Sequence, residues 1–251
     1  MNTFEIRRRI PEFIKKRFRW IYHKFTMEFD EGTIKGLMEY YSLDRKKVMY
    51  YLLASGRLST DFWYCLNPKT EEDIRNFYVE DPFYVFNLTI WHSTKGQIKL
   101  RKKMIGLAKG KVLDYGAGVG DMCIMAKNKG LDVDYANLSG RVFDYAKWLF
   151  NKRGKSIKMI DLSKEKISSN YDTIFCIDVI EHVKNPKELL KDFVSRLNNG
   201  GYLMITALNP VTGEEIPMHF GFDFNPEDYL KSLGMSKLED QFLWVKKSSI
   251  K

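Results

Sequence analysis

Three side chains near the middle of the C-terminal half have the types and spacing for acid–base or metal chemistry: Asp178, Glu181 and His182. They fall at i, i+3 and i+4, which on a helical turn places two carboxylates and an imidazole on one face. Such a face could use His182 as a general base, with a near-neutral pKa steered by the carboxylates. It could instead gather one divalent cation that orients and acidifies a hydroxyl. The plainer alternative is that His182 only hydrogen-bonds a backbone carbonyl.

A second group is the run Val112-Leu113-Asp114-Tyr115-Gly116-Ala117-Gly118-Val119-Gly120-Asp121. It ends an apolar strand in glycines at alternate positions and must then open a helix. Glycine there lets the backbone take left-handed angles and approach a ligand, and the helix start aims free N–H groups at it. A dinucleotide fold requires a third glycine where this chain has Asp121, and no G-x-x-x-x-G-K-[ST] loop is present. Pyrophosphate and nucleoside triphosphate are therefore disfavoured ligands.

Both groups need a scaffold, and from about residue 107 the chain alternates short apolar runs with amphipathic stretches, as in a parallel sheet with crossover helices. Expected strands are 111–115, 133–136, 157–160, 173–177 and 202–206, with 242–245 as a last, antiparallel one. Val142, Tyr145, Ala146, Leu149 and Phe150 form one helical stripe, and Leu189, Leu190, Phe193, Val194 and Leu197 another. Asn185 and Pro186 begin the second, with Glu188 reaching back and Gly200 and Gly201 beyond its end. Asn225-Pro226-Glu227 opens a further short helix.

Residues 1–100 read as a helical cap or lid, with helices near 33–41, 44–55 and 70–79, the last begun by the capping box Thr70-x-x-Asp73. The expected division is cap 1–100 and α/β domain 101–251. Aromatic residues and a histidine crowd the join, from Phe77 and Tyr78 to Trp91 and His92. Burial between cap and body is the favoured reading for them, and walling a substrate pocket is the other.

At 251 residues and 44% hydrophobic the chain can bury a core without staples. Cys65, Cys123 and Cys176 are too scattered for a disulfide framework or zinc knuckle, so mostly buried, reduced thiols and a cytoplasmic setting are expected. No apolar stretch is long enough to span a bilayer, and no secretory signal is expected. Of the net +9, eight basic residues less Glu5 and Glu12 put +6 in the first 25 residues, interleaved with aromatics. That segment could lie on an anionic membrane or contact nucleic acid, or it could pack its aromatic side on the body.

Asp114-x-Gly116-x-Gly118-x-Gly120 resembles the first motif of class I S-adenosylmethionine (SAM) methyltransferases. The segment Tyr171 to Val183, with Asp178-x-x-Glu181-His182-Val183, resembles the fourth-strand motif of the small-molecule branch that includes ubiquinone-type O-methyltransferases. Asn198 to Ile205 matches the following turn and strand, so the resemblance spans roughly 107–206. It implies a doubly wound Rossmann-like α/β fold with SAM as cofactor. It also implies cofactor-binding roles for Asp114, Gly116, Ala117, Gly118, Gly120 and Asp178, for Asn137 and Leu138 at the ribose, and for Asp161 and Leu162 at the adenine. Asn137 departs from the family, which usually has a carboxylate there. The implied reaction is in-line attack on a sulfonium methyl by a small or amphiphilic acceptor, with His182 the best-placed base. The [NDS]-P-P-[YFW] motif of base amino-methylation is missing from strand four. A SAM-fold docking protein without catalysis, and an RNA or protein methyltransferase using the basic N-terminus, are the rival readings.

Overall fold

The computed structural model describes residues 26–214 and 216–247. The basic segment 1–25, with its membrane and nucleic-acid readings, lies outside the described residues. The described N-terminal half is helical: α1 (Glu31–Tyr41), α2 (Arg45–Leu66), α3 (Glu71–Glu80), α4 (Tyr84–His92) and α5 (Lys95–Leu107). Their starts are written in the sequence. Asp30, Asp44 and Thr94 accept from N–H groups of the first turn, and Thr70 and Asp73 complete the expected capping box. Helix α2 runs to Leu66, well past the expected stop at 55, and ends on Asn67 in the left-handed conformation at φ 47°. Helix α5 crosses residue 100 and leads straight into the sheet.

The α/β part follows as β1 (Lys111–Tyr115), α6 (Asp121–Asn128), β2 (Asp132–Asn137), α7 (Arg141–Lys152), β3 (Lys158–Asp161) and β4 (Tyr171–Cys176). It continues through a 3₁₀ turn (Ile180–His182) into α8 (Pro186–Arg196), β5 (Leu197–Ile205), α9 (Pro226–Ser232), β6 (Met235–Lys237) and β7 (Leu243–Lys246). The strands form one sheet in the order β3-β2-β1-β4-β5-β7-β6, parallel except for antiparallel β7. The expected doubly wound α/β fold is thus present, with β6 an addition too short to leave an alternating pattern. At α8, Asn185 makes no side-chain cap; its amide instead donates to Glu71 of α3, so the expected reach-back of Glu188 is replaced by a contact to the cap.

Apolar side chains bury on both sheet faces, around Ile174, Phe193 and Trp244 on one and Tyr135, Phe150 and Phe175 on the other. The cap is joined to the body by two further clusters. Ile34, Leu37, Leu52 and Phe86 pack with Val119, Val142 and Tyr145 of the body. Trp63, Ile74 and Phe77 pack on Met218 in the β5–α9 loop. Phe77 and Phe86 are therefore core, as expected. Cys123 and Cys176 are buried, whereas Cys65 on α2 is exposed. No described helix is long and apolar enough to cross a membrane.

Candidate active site

Between β1 and β4 the strand order reverses direction, and in open α/β sheets the crevice outside the carboxyl ends at such a point is where ligands bind. A cavity opens there under the cap. Its floor is the turn after β1. Gly116 and Gly118 take φ of 67° and 52°, and a Cβ at Gly118 would come within 3.1 Å of Leu88 Cδ1 of α4. A Cβ at Gly116 would overlap Val179. Both glycines are required by close approach as well as by backbone angle.

Of the eleven sequence-predicted site residues, Asp114, Gly116, Ala117, Gly118, Asn137, Leu138, Leu162, Asp178 and His182 line this one cavity. Gly120 and Asp161 do not. Gly120, at φ 79°, faces Phe150, whose ring would lie 2.5 Å from an added Cβ, so it serves the packing of α6 on α7. The Asp161 carboxylate is engaged by the N–H groups of Ser139 and Ser163 and by Lys164 at 2.9 Å. It ties the β2 and β3 turns together. Asn137 turns its carbonyl oxygen to the N–H of Leu138 at 3.0 Å and its amide to Tyr135, an Asx-like arrangement within its own turn.

Asp178, Glu181 and His182 do not share a helical face. Asp178 sits ahead of the 3₁₀ turn at φ 53°, and its carboxylate is aimed elsewhere. It accepts from Trp91 Nε1 at 2.7 Å, Thr206 Oγ1 at 2.7 Å and Gln97 Nε2 at 3.3 Å. Its place beside Glu181 and His182 is taken by His219, from the β5–α9 loop: one ligand-type atom from each of the three lies within 4.8 Å of the others.

The tautomers of both histidines follow from their partners, because a carbonyl oxygen can only accept. His182 Nδ1 lies 3.1 Å from Met218 O and 2.8 Å from the Tyr78 hydroxyl, and His219 Nδ1 lies 2.9 Å from Val211 O. Each Nδ1 therefore carries the proton, leaving each Nε2 with a lone pair. Burial, then the neighbouring His219, pushes His182 down to about 4, so the expected near-neutral imidazole is corrected by its surroundings. Burial, then Asp178, raises Glu181 to about 8, and its Oε2 has no hydrogen-bond partner. A divalent cation would satisfy that oxygen and both lone pairs at once.

A second charged cluster was not foreseen. Arg101 of α5, only 4% exposed, pairs with Asp121 at 2.6 Å, and His92 Nδ1 stands 3.1 Å from the other Asp121 oxygen. That approach is not aligned as a hydrogen bond, so His92 Nδ1, Asp121 Oδ1 and Arg101 Nε are buried without partners. Burial favours a neutral Asp121, but Arg101 and His92 outweigh it and hold the carboxyl well below its usual range. All three residues line the cavity beside the glycine turn. Asp121 as the first residue of its helix was a legible signal. Arg101, in a basic run, and His219, far along the chain, gave none.

Burial divides the aromatics of the join. Tyr78, Tyr84, Trp91 and His92 line the cavity, while Phe77 and Phe86 do not.

A methyltransferase-domain family model matches residues 94–240. The chain belongs to the methyltransferase family. Similar curated proteins are the ubiquinone biosynthesis O-methyltransferases of Nitrosomonas europaea, 24% identical over 108 residues, and Acinetobacter baumannii, 27% identical over 110 residues. Each match covers 41% of this chain and 46% of the relative, so the methyltransferase spans about half the length of the curated relatives it matches. Among solved structures it resembles Haemonchus contortus phosphoethanolamine N-methyltransferase 2 in complex with S-adenosyl-L-methionine. That likeness has a TM-score of 0.53 at 19% identity, covers 64% of this chain and 44% of that one, and is a likeness of fold.

Proposed function

We propose that this methyltransferase uses SAM to methylate a small molecule in the cavity between cap and sheet. The observation that carries the reading is the glycine turn at the strand-order reversal, with nine sequence-predicted residues lining one cavity. The residues fit the cofactor. Gly116 and Gly118 leave backbone bare at the floor, and the unpartnered atoms of Arg101 and Asp121 are complementary to a carboxylate and an ammonium. Leu138 and Leu162 offer apolar contact to a base.

SAM supplies a methyl group on a positively charged sulfur, so the protein's work is mainly to hold an acceptor in line with it and keep water out. Tyr78, Tyr84 and Trp91 of the cap supply the apolar wall for that acceptor. If the acceptor is a hydroxyl, His182 Nε2 is the lone pair available to its proton. An imidazole pushed to about 4 is a weak base at neutral pH. The shared Nδ1–H tautomer of His182 and His219 and the unpartnered Glu181 oxygen favour a cation-assisted version, in which these three residues hold a divalent ion that acidifies a hydroxyl.

Titration calorimetry tests the cofactor reading. Wild-type protein should bind SAM and S-adenosylhomocysteine, and Gly118→Val should not, because its side chain projects into the cavity from a left-handed position. Wild-type protein that shows neither heat nor a thermal shift with either ligand refutes it. For the cation, His219→Ala and a chelator should lower activity alike; full activity under both excludes that version.

A further inference from the structure

Two guanidiniums line the cavity, Arg101 and Arg75, and only Arg101 is paired with a carboxylate. Three carboxylates line it: Asp114, Asp121 and Asp178. Asp121 is paired with Arg101, and Asp178 accepts from Trp91, Gln97 and Thr206. Asp114 is 4% exposed and accepts from the Cys123 thiol. Arg75 of α3 also lines the cavity, one helical turn before Tyr78 and so on the same face. It is exposed, so it stands at the open end of that face, and among the described residues no carboxylate lies within ion-pair distance of it. Lys184, next in sequence to the cavity residue Val183, donates to Lys69 O at 3.4 Å and lies near enough to Asp73 to help hold that carboxyl low. Asp73, two residues before Arg75, accepts from the N–H groups of Lys69 and Thr70 and does not pair with Arg75.

We propose that the methyl acceptor is an anion, a small molecule whose carboxylate or phosphate pairs with Arg75 while its apolar body lies against Tyr78 and Trp91. The inference rests on the methyltransferase reading of the same cavity. An exposed guanidinium at the cavity rim, free of any carboxylate, is a fork for planar or tetrahedral oxyanions, and the aromatic wall beside it suits a flat apolar body. Arg75 and Tyr78 lie three residues apart on one helix, so the two contacts would fix the acceptor's orientation relative to His182, which hydrogen-bonds Tyr78 at 2.8 Å.

The test uses full-length protein saturated with S-adenosylhomocysteine and two matched pairs of probes, benzoate against benzamide and phenyl phosphate against phenol. One anion of the two should bind about tenfold or more tighter than its neutral partner, the scale of a charge-assisted pair, and which anion does so distinguishes carboxylate from phosphate. Arg75→Gln should abolish that preference and Arg75→Lys should keep part of it, with S-adenosylhomocysteine affinity within about twofold of wild type in both, since the charge-assisted contact lies outside the cofactor's polar partners. Equal binding of anions and neutral partners, or a preference that survives Arg75→Gln, overturns the proposal. So does a short RNA that binds tighter than either anion and loses that binding in Arg75→Gln. Failure of wild-type protein to bind S-adenosylhomocysteine at all is the separate failure of the methyltransferase reading.

Discussion

Replacing Asp114 by asparagine isolates what the buried carboxyl beneath the glycine turn costs the fold as pH rises. Asp114 is 4% exposed, its one hydrogen-bond donor among the described residues is the Cys123 thiol at 3.3 Å, and burial raises its pKa from 3.8 to about 7. The native state thus keeps a proton that the unfolded chain releases, so stability falls as pH climbs from about 4 to 7. Across that whole window the loss is about 4 kcal/mol. The substitution Asp114→Asn keeps the accepting oxygen but removes the ionisation. Its extra amide hydrogens lack an acceptor, which costs about 1 kcal/mol or more at any pH. In urea unfolding without ligand, the variant-minus-wild-type difference in free energy should therefore grow by about 2 to 3 kcal/mol between about pH 5 and pH 8. In thermal melts the same change should appear as roughly 5 to 10 °C of relative gain for the variant. A difference that stays flat over that range would show that Asp114 is solvated or already ionised at the acid end, and the account of a dry, acid-bearing cavity floor would be wrong.

Gly120→Ala should destabilise by about 2 kcal/mol or more, combining left-handed backbone strain with overlap on the Phe150 ring; an unchanged melting temperature would show that α6 can slide on α7. Arg101→Met should cost about 3 to 5 kcal/mol without cofactor, because Asp121 then loses its charged partner in a buried site. The same substitution should weaken SAM binding in calorimetry, and wild-type affinity would remove Arg101 from the cofactor site.

The architecture of the C-terminal half was legible because its signals are local. Apolar runs of strand length, the stripes Val142 to Phe150 and Leu189 to Val194, and the Asn225–Pro226 start each depend on residues a few positions apart. The glycine turn was legible for the same reason, since positive φ and close approach are demands that only glycine meets. What spacing could not decide was direction. The triplet Asp178, Glu181 and His182 has helical spacing, yet Asp178 turns away at φ 53°, where Trp91 and Gln97 of the cap and Thr206 just past β5 all donate to it. Asp161 and Gly120 have the right positions in their motifs, but one is drawn into a turn network and the other into helix packing. Arg101 meets Asp121 across 20 positions, and His219 meets His182 and Glu181 from the far side of β5, only because helices and loops pack over the sheet edge. Sequence periodicity determined which elements form and where the ligand turn lies. Tertiary packing decided which polar side chains face the cavity, since a buried charge must find its partners wherever the fold brings them.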